Sequence, residues 1–216
     1  MCGRYYMDDN AYSETRKWIR QINGNNSSNH RDGRDDLMNP GNGDIRPSEP
    51  ALVITGKTSG HGYAADQRMV LAEEIMYWGF PQYDRKALLI NARAETVLQK
   101  KTFRDSVLHR RCLIPARYFY EWDASKNKVT CRHFDSSVIY MAGFYHSFQG
   151  QNRFVIITTE ANDSLRKIHG RMPLILEQNE LENWIFDDNC LEFLLHKTPV
   201  MMEHEQEYEQ LTLPFL

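Results

Sequence analysis

Six short runs of β-branched and aromatic residues constrain the fold of this chain most strongly. Turn-forming residues separate the runs, and short strands joined by turns are typical of antiparallel sheets. The runs are ALVIT from Ala51, EIMYWGF ending at Phe80, CLIP from Cys112, RYFYEW from Arg117, VIYMAGFYH from Val138 and RFVIITT from Arg153. The pattern predicts strands of a mainly antiparallel sheet.

Helices are predicted at the edges of this sheet. Trp18, Ile19 and Ile22 fall at helical spacing, and Ser13 precedes them as a candidate cap. The predicted helices cover residues 16–22, 161–168, 178–186 and about 191–196. The expected fold class is therefore α+β, a mainly antiparallel, barrel-like β-sheet with peripheral helices.

Length and composition predict one domain over residues 1–216, because 216 residues with 41% hydrophobic content can bury a single core. Residues 24–44 contain almost no apolar side chains and are predicted to be a mobile insertion, and residues 203–216 a flexible acidic tail. No apolar run approaches the ~20 residues that cross a bilayer, so we expect a cytoplasmic protein without a membrane partner.

The four cysteines show neither C-x-x-C spacing nor the spacing of a zinc site. We therefore expect free thiols and no bound metal. Cys112 and Cys190 are expected to be buried as small apolar side chains.

Charge is segregated along the chain, although the net formal charge is only −3. Residues 85–117 contain two acidic and nine basic side chains, and residues 177–209 contain ten acidic side chains and Lys197. The nine basic residues are Arg85, Lys86, Arg93, Lys100, Lys101, Arg104, Arg110, Arg111 and Arg117. A local positive surface attracts a polyanion whatever the net charge, so the basic segment is a candidate nucleic-acid surface. The alternative is that both segments are ordinary solvated faces.

Cys2 is the candidate nucleophile, because removal of Met1 would leave a cysteine with a free α-amine. An amine of this kind condenses with an aldehyde to an imine, and the thiol can then close onto the imine carbon as a thiazolidine ring. The two groups titrate near ~7.7 and ~8.5, so both are partly deprotonated at neutral pH. A cysteine placed at position 2 by chance is the alternative.

Three polar residues lie at unusual positions in the pattern. Asn91 ends an apolar run, Glu121 stands between two aromatic residues of a predicted strand, and His169 follows a predicted helix next to Arg171. A buried carboxylate is paired or has a raised pKa, and a histidine exchanges protons near neutral pH. Each also has a structural reading: Asn91 as a cap, Glu121 as a buried ion pair and His169 as a helix C-terminal residue.

Taken together, these segments resemble the SRAP domain family. The resemblance rests on MCGRY at the N-terminus, Ile45-Arg46-Pro47, WGF at Trp78, INARAET at Ile90, the stretch from Cys112 to Trp122, and IHGRMP at Ile168. It covers residues 2–173 in separate segments.

The resemblance implies a protein that shields abasic sites in single-stranded DNA by covalent crosslinking through Cys2, without a cofactor. It implies that Asn91 orients the terminal amine and the sugar, that Glu121 is the acid and base, and that His169 assists opening of the sugar ring. An autoproteolytic activity that removes Met1 is also implied, and the protein would be nucleoid-associated.

DNA-binding roles are assigned by the same resemblance. Arg4, Arg93 and Arg171 would hold the phosphates that flank the lesion. Trp122 and Pro47 would replace the stacking neighbour that the bases lose.

Two regions depart from the family pattern or stand outside it. The family's longer W-G-x-x-P-x-W stretch is absent, and Tyr83 is the nearest aromatic substitute for its second Trp. At the C-terminus, Gln210, Leu213 and Phe215 resemble the short peptides that dock into bacterial sliding clamps. The alternative is that this segment is a last strand packed on the sheet.

Two functions from other classes remain open at this point. A cysteine peptidase acting on other proteins would use Cys2 with His169 as its base. A non-catalytic single-stranded DNA-binding module would use the basic segment and Trp122 alone, and it would not need the thiol.

Overall fold

The computed structural model of the protein describes residues 2–24, 42–59, 68–82 and 85–206. Strands dominate these ranges and few helices accompany them, which confirms the α+β prediction. The strands are β1 (Tyr5–Met7), β2 (Gly43–Ile45), β3 (Pro50–Ser59), β4 (Arg68–Trp78), β5 (Phe80–Gln82), β6 (Arg85–Leu89), β7 (Asn91–Arg93), β8 (Arg111–Ala116), β9 (Tyr118–Trp122), β10 (Lys128–His133), β11 (Ile139–Phe148), β12 (Gln151–Glu160), β13 (Arg171–Pro173), β14 (Ile175–Leu176) and β15 (Met202–Gln206). The α-helices are α1 (Asp9–Asn23), α2 (Lys101–His109), α3 (Leu181–Phe186) and α4 (Leu191–Leu195).

The larger sheet closes on itself. Its strands pair in the order β12, β4, β3, β8 and β11, and β11 pairs again with β12, so these five form a ring. All of these pairings are antiparallel except β12 with β4. The ring is the closed sheet that the strand pattern predicted.

A second sheet carries the N-terminal segment. Its five strands run in the order β15, β10, β9, β1 and β2. Tyr5 pairs with Phe119 and Tyr6 with Tyr118, and the N–H of Tyr120 donates to the carbonyl of Arg4 at 3.0 Å. The antiparallel ladder therefore brings the chain start beside the end of β9.

The core lies inside the ring and between the two sheets. Its largest fully buried side chains include Trp78, Trp184, Tyr5, Phe80 and Phe154. The Tyr5 and Trp78 rings meet at 5.3 Å, which joins the N-terminal strand to the ring. Aromatic pairs of this kind add about 0.5–1.5 kcal/mol beyond the area they bury.

Two helix predictions are corrected by the structure. Helix α1 begins at Asp9 and not near Arg16, because the Asp8 carboxylate caps it by accepting from the N–H of Ala11 at 2.8 Å. Residues 161–168 form turns and not a helix. The reason is Asn162, whose side chain accepts from the N–H of Ser164 and donates to the carbonyls at 199 and 200.

The predicted insertion and the predicted tail each overlap a strand. Strand β2 begins at Gly43, and residues 202–206 form β15, which pairs with β10 in place of a flexible tail. The rest of the predicted insertion, Tyr83, Met1 and the candidate clamp peptide at Gln210, Leu213 and Phe215 lie outside the described residues. No helix in the described part of the chain is long and apolar enough to cross a membrane.

The basic segment only partly forms the expected open surface. Arg111 is buried and bonds to Trp184 and Asp188, Arg110 pairs with Asp105, and Arg117 donates to a main-chain carbonyl at Ser137. Arg93, Lys100, Lys101 and Arg104 are exposed. The segment thus contains arginines with structural contacts near β8, and exposed basic residues from the end of β7 to the first half of α2.

The prediction of free thiols is confirmed for all four cysteines, whereas the prediction of burial is confirmed for Cys112 and wrong for Cys190. Cys2, Cys112, Cys131 and Cys190 are free thiols. Cys112 is buried as expected, but Cys190 is half-buried and its thiol donates to the Asp187 carboxylate at 3.2 Å. That polar contact at the start of α4 explains why Cys190 does not act as a core side chain.

Replacing Arg111 tests the structural role of the buried guanidinium. Arg111→Met is expected to lower the free energy of unfolding by about 2 kcal/mol, because the carbonyls at Trp184 and Leu108 lose their donor at 2.5 and 3.0 Å. Asp188→Asn is the matched variant, and it should cost less than ~1 kcal/mol since the Asp188 side chain is 79% exposed. Urea denaturation measures both, and an equal loss in the two variants would contradict this account.

A candidate site around Cys2

Cys2 lies three residues before β1 and is completely buried. The Arg4 carbonyl accepts from the Cys2 thiol at 3.7 Å and from the N–H of Tyr120. Continuing the β1–β9 ladder past this bond places Gly3 opposite Glu121, which is 1% exposed. The fold therefore places a thiol and a carboxylate together in its interior.

Asn91, the first residue of β7, also contacts Cys2. Trp78 donates through its indole nitrogen to the carbonyl of Ile90 at 2.9 Å, and β7 runs parallel to β12 from Asn91 onward. The amide nitrogen of Asn91 donates to the carbonyl of Cys2 at 2.9 Å. Its amide oxygen is buried and accepts no hydrogen bond from the residues that the structure describes. An unused acceptor thus stands beside the main chain of Cys2.

Burial controls the protonation of this cluster. It raises the pKa of the Glu121 carboxyl, and the positive charge of His169 partly offsets the effect. Burial also raises the pKa of the Cys2 thiol well above its usual value, and the Glu121 carboxylate raises it further. The thiol therefore stays protonated near neutral pH, and the carboxyl binds its proton more tightly than an exposed glutamate does.

His169 stands near Glu121 and is held by the main chain of Arg171. Its Nδ1 atom lies 3.0 Å from the N–H of Arg171 and 3.1 Å from the carbonyl of the same residue. One partner suits an unprotonated Nδ1 and the other a protonated one. These two contacts hold the imidazole ring at its Nδ1 atom.

The Arg171 side chain is not an open phosphate ligand. Its guanidinium forms a bidentate pair with the Glu95 carboxylate at 2.6 and 2.9 Å, and it donates to the Thr158 carbonyl at 2.7 Å. The Arg171 bond holds the pKa of Glu95 below its usual value. A phosphate would therefore compete with a carboxylate for this arginine.

The other predicted DNA-binding residues are Arg4, Pro47, Arg93 and Trp122. They are partly or fully exposed, and we call these four residues the rim. The Arg4 guanidinium sits over the Trp122 ring at 5.4 Å and lies 3.6 Å from the Asp44 carboxylate. Trp122 and Pro47 are half-buried, and Arg93 is exposed. The structure thus pairs Arg4 with Trp122, and it places Arg93 beside the Glu95–Arg171 pair.

The structure adds residues that sequence reasoning missed. Thr158 accepts from Arg171 at the end of β12, and burial, followed by the Glu121 charge, raises the pKa of the nearby Cys131 thiol to about 12. Neither residue carries a motif, since both occupy ordinary strand positions. Among the described residues no group of three or more His, Cys, Asp or Glu side chains is arranged to hold a metal ion.

The fold and the site define a class: a closed-sheet domain in which residue 2 is a buried cysteine, held by an asparagine amide beside a buried carboxylate and a histidine. The family model of the SOS response associated peptidase (SRAP) matches residues 1–210. The chain belongs to the SRAP family.

Named relatives fall in the same family. The abasic site processing protein YoaM of Bacillus subtilis is 39% identical over a stretch that covers 47% of this chain and 48% of that protein. The chain thus spans about half the length of the Bacillus relatives that it matches. The abasic site processing protein YedK of Escherichia coli is 26% identical over 86% of this chain and 79% of its own length.

Solved structures support the fold. A crystal structure of a protein from Bacteroides thetaiotaomicron superimposes with a TM-score of 0.68 at 22% identity, covering 95% of this chain and 91% of that one. A phage-related protein from Bordetella bronchiseptica gives a TM-score of 0.68 at 19% identity, with 96% and 95% covered. Both describe the same arrangement of strands.

The buried carboxylate makes a prediction about pH. The pKa of Glu121 is raised in the folded protein, so the folded state binds the proton more tightly than the unfolded chain, where it titrates near ~4.3. Stability that this group contributes at acid pH is lost as the pH rises through the folded pKa. Glu121→Gln should therefore gain stability relative to the wild type as the pH rises from 4 to 8.

Thermal unfolding between these pH values measures the difference in stability between Glu121→Gln and the wild type. Glu14→Gln on the exposed face of α1 is the matched control, and its difference from the wild type should change little with pH. If the stability of Glu121→Gln relative to the wild type is constant or falls toward pH 8, burial does not raise this pKa.

Proposed function

We propose that this protein processes abasic sites in single-stranded DNA by forming a covalent crosslink through Cys2 after Met1 is removed. The observation that carries the proposal is the contact of the Asn91 amide with the main chain of Cys2, with Glu121 buried beside it. The names of the relatives point to the same substrate. Autoproteolytic removal of Met1 at this site is part of the proposal.

The first step uses the amine. An abasic sugar exchanges between a closed ring and an open aldehyde, and His169 would give a proton to the ring oxygen as the ring opens. The free α-amine of Cys2 adds to the aldehyde carbon, and a water leaves to give an imine. The buried amide oxygen of Asn91 would accept a hydrogen bond from that amine, since its amide nitrogen already bonds to the Cys2 carbonyl. Glu121 would supply the proton that the departing water needs.

The second step uses the thiol. The Cys2 sulfur adds to the imine carbon, and its proton passes through Glu121 to the nitrogen, which closes the thiazolidine ring. No further atom is lost, so the whole sequence releases one water. The raised pKa of the Cys2 thiol suits this order, because the sulfur stays protonated until the imine is present.

The rim supplies the DNA contacts in this proposal. Trp122 offers a partly exposed aromatic surface on which a neighbouring base can stack, with Arg4 held against it. Arg93 and the exposed basic residues between β7 and α2 attract the phosphates. The half-buried Pro47 adds an apolar surface near the lesion.

The geometry favours this chemistry over the two rivals. A Cys–His peptidase needs a thiolate next to its base, whereas burial raises the Cys2 pKa and its thiol donates to the Arg4 carbonyl. A simple DNA-binding module gives no reason to bury Glu121 beside a cysteine and an asparagine, since burial of an ionisable group costs stability.

A single-stranded oligonucleotide with one abasic site tests the crosslink. The purified protein lacking Met1 should form an adduct that survives denaturation, with an intact mass equal to the sum of both partners less one water. Cys2→Ala keeps the amine and loses ring closure, so its adduct should appear only when a borohydride reduces the imine. Absence of any adduct from wild-type protein that lacks Met1 would exclude the proposed function.

Replacing the carboxylate tests the proton transfers. Glu121→Gln should slow single-turnover crosslinking by about 10²-fold or more, because general acid–base catalysis contributes about 10²–10⁴. Its binding to undamaged single strands should be unchanged, since Glu121 is buried away from the rim. A Glu121→Gln variant that crosslinks at the wild-type rate would remove the carboxylate from the mechanism.

A further inference from the structure

Two segments that supply the site are joined by one ion pair. Asn91 begins β7, and Glu95 follows in a short 3₁₀ helix at 94–96. His169 precedes β13, which begins with Arg171. The bidentate bonds between Glu95 and Arg171 therefore connect the Asn91 segment to the His169 segment.

Arg171 is unusually constrained for a residue at a DNA-facing rim. Its side chain is 15% exposed, and its guanidinium also donates to the Thr158 carbonyl. Its main chain pairs with Glu160 on β12, and its N–H and carbonyl both lie against Nδ1 of His169. The position of the Arg171 main chain thus sets the position of the imidazole ring.

We propose that Glu95 is a positioning residue: by holding the Arg171 guanidinium in a fork, it fixes the Arg171 main chain against Nδ1 of His169 and so orients the imidazole ring. The inference rests on the proposed function for its catalytic consequence, but the positioning itself is a property of the free protein. In this account Glu95 supports the rate of proton transfer and does not support the grip on DNA. It partly neutralises Arg171, and so it reduces the attraction of that arginine for phosphate.

The two effects of Glu95 predict a separation of rate from affinity. Glu95→Gln should slow single-turnover crosslinking by about ten- to a hundredfold, because small misplacements of catalytic groups cost rates of that size. In a Cys2→Ala background, the same change should leave affinity for an abasic single strand equal or higher. Glu95→Asp keeps the charge and should recover part of the rate.

Matched variants separate positioning from charge. Glu73→Gln removes a carboxylate from a comparable ion pair with Arg16 on the far side of α1, and it should change neither rate nor affinity. Arg171→Lys keeps the positive charge but cannot form the fork, so it should slow the reaction as Glu95→Gln does. Glu95 is 44% exposed, so its replacement should leave the melting temperature nearly unchanged.

Nitrogen-15 NMR of the histidine rings tests the positioning without DNA. The His169 resonances are assigned by their loss in His169→Gln, and the Nδ1 and Nε2 shifts report the tautomer populations. Glu95→Gln should change these shifts, and Glu73→Gln should not. Unchanged His169 shifts in Glu95→Gln would overturn the inference, even if the rate falls.

The measurements of crosslinking rate and DNA affinity can also contradict the inference. If Glu95→Gln loses affinity and rate in equal proportion, Glu95 supports DNA binding and the inference is wrong. If wild-type protein lacking Met1 forms no adduct, the proposed function fails, and the NMR comparison still decides whether Glu95 positions His169.

Discussion

The antiparallel ladder between β1 and β9 is the constraint on which the site depends. It ends with the bond from the Tyr120 N–H to the Arg4 carbonyl, and that carbonyl also accepts from the Cys2 thiol. Strand pairing fixes register strongly where one face is buried, because a slip of one residue turns every side chain to the opposite face. Tyr5 is fully buried on that face and packs against Trp78. Cys2 is thereby held within the core, where it is completely buried.

Burial of the ionisable groups around Cys2 has an electrostatic cost, because it disfavours their charged forms. Glu121 is buried among Cys2, Cys131 and the aromatic residues of β9, and the pKa values of all three ionisable groups are raised. Protein interiors seldom hold a carboxylate without a use for it, because desolvation disfavours its charge. In the proposed reaction, which opens a sugar, expels a water and moves a thiol proton, the same carboxyl would give and take each proton in turn.

The arginines show how tertiary contacts divide residues that look alike in sequence. Arg110 and Arg111 are consecutive and basic, yet Arg111 is buried against Trp184 and Arg110 pairs with Asp105. Arg171 resembles a phosphate ligand and is instead held by Glu95. The basic segment of the sequence therefore overestimates the exposed positive surface. The reason is that a guanidinium has five donors, which form hydrogen bonds with carbonyls as readily as with phosphates.

The strands of the ring and most helices could be predicted, because their apolar patterns are strong. Helix α2 was missed since it has no capping side chain at its start, and β15 was missed since its sequence MEHEQ has no apolar alternation. The turns at 161–168 were predicted as a helix because the contacts of Asn162 with residues 199 and 200 are remote in sequence.

The sequence by itself determined the chemical groups of the site and the class of fold. Cys2, Asn91, Glu121 and His169 are recognisable because each residue type interrupts the pattern around it. Only the tertiary structure decided that Asn91 bonds to Cys2, that Glu121 is desolvated and that Arg171 belongs to Glu95. The physical reason is that burial and pairing are properties of neighbours in space, and residues 2, 91, 121 and 169 become neighbours only when the two sheets close.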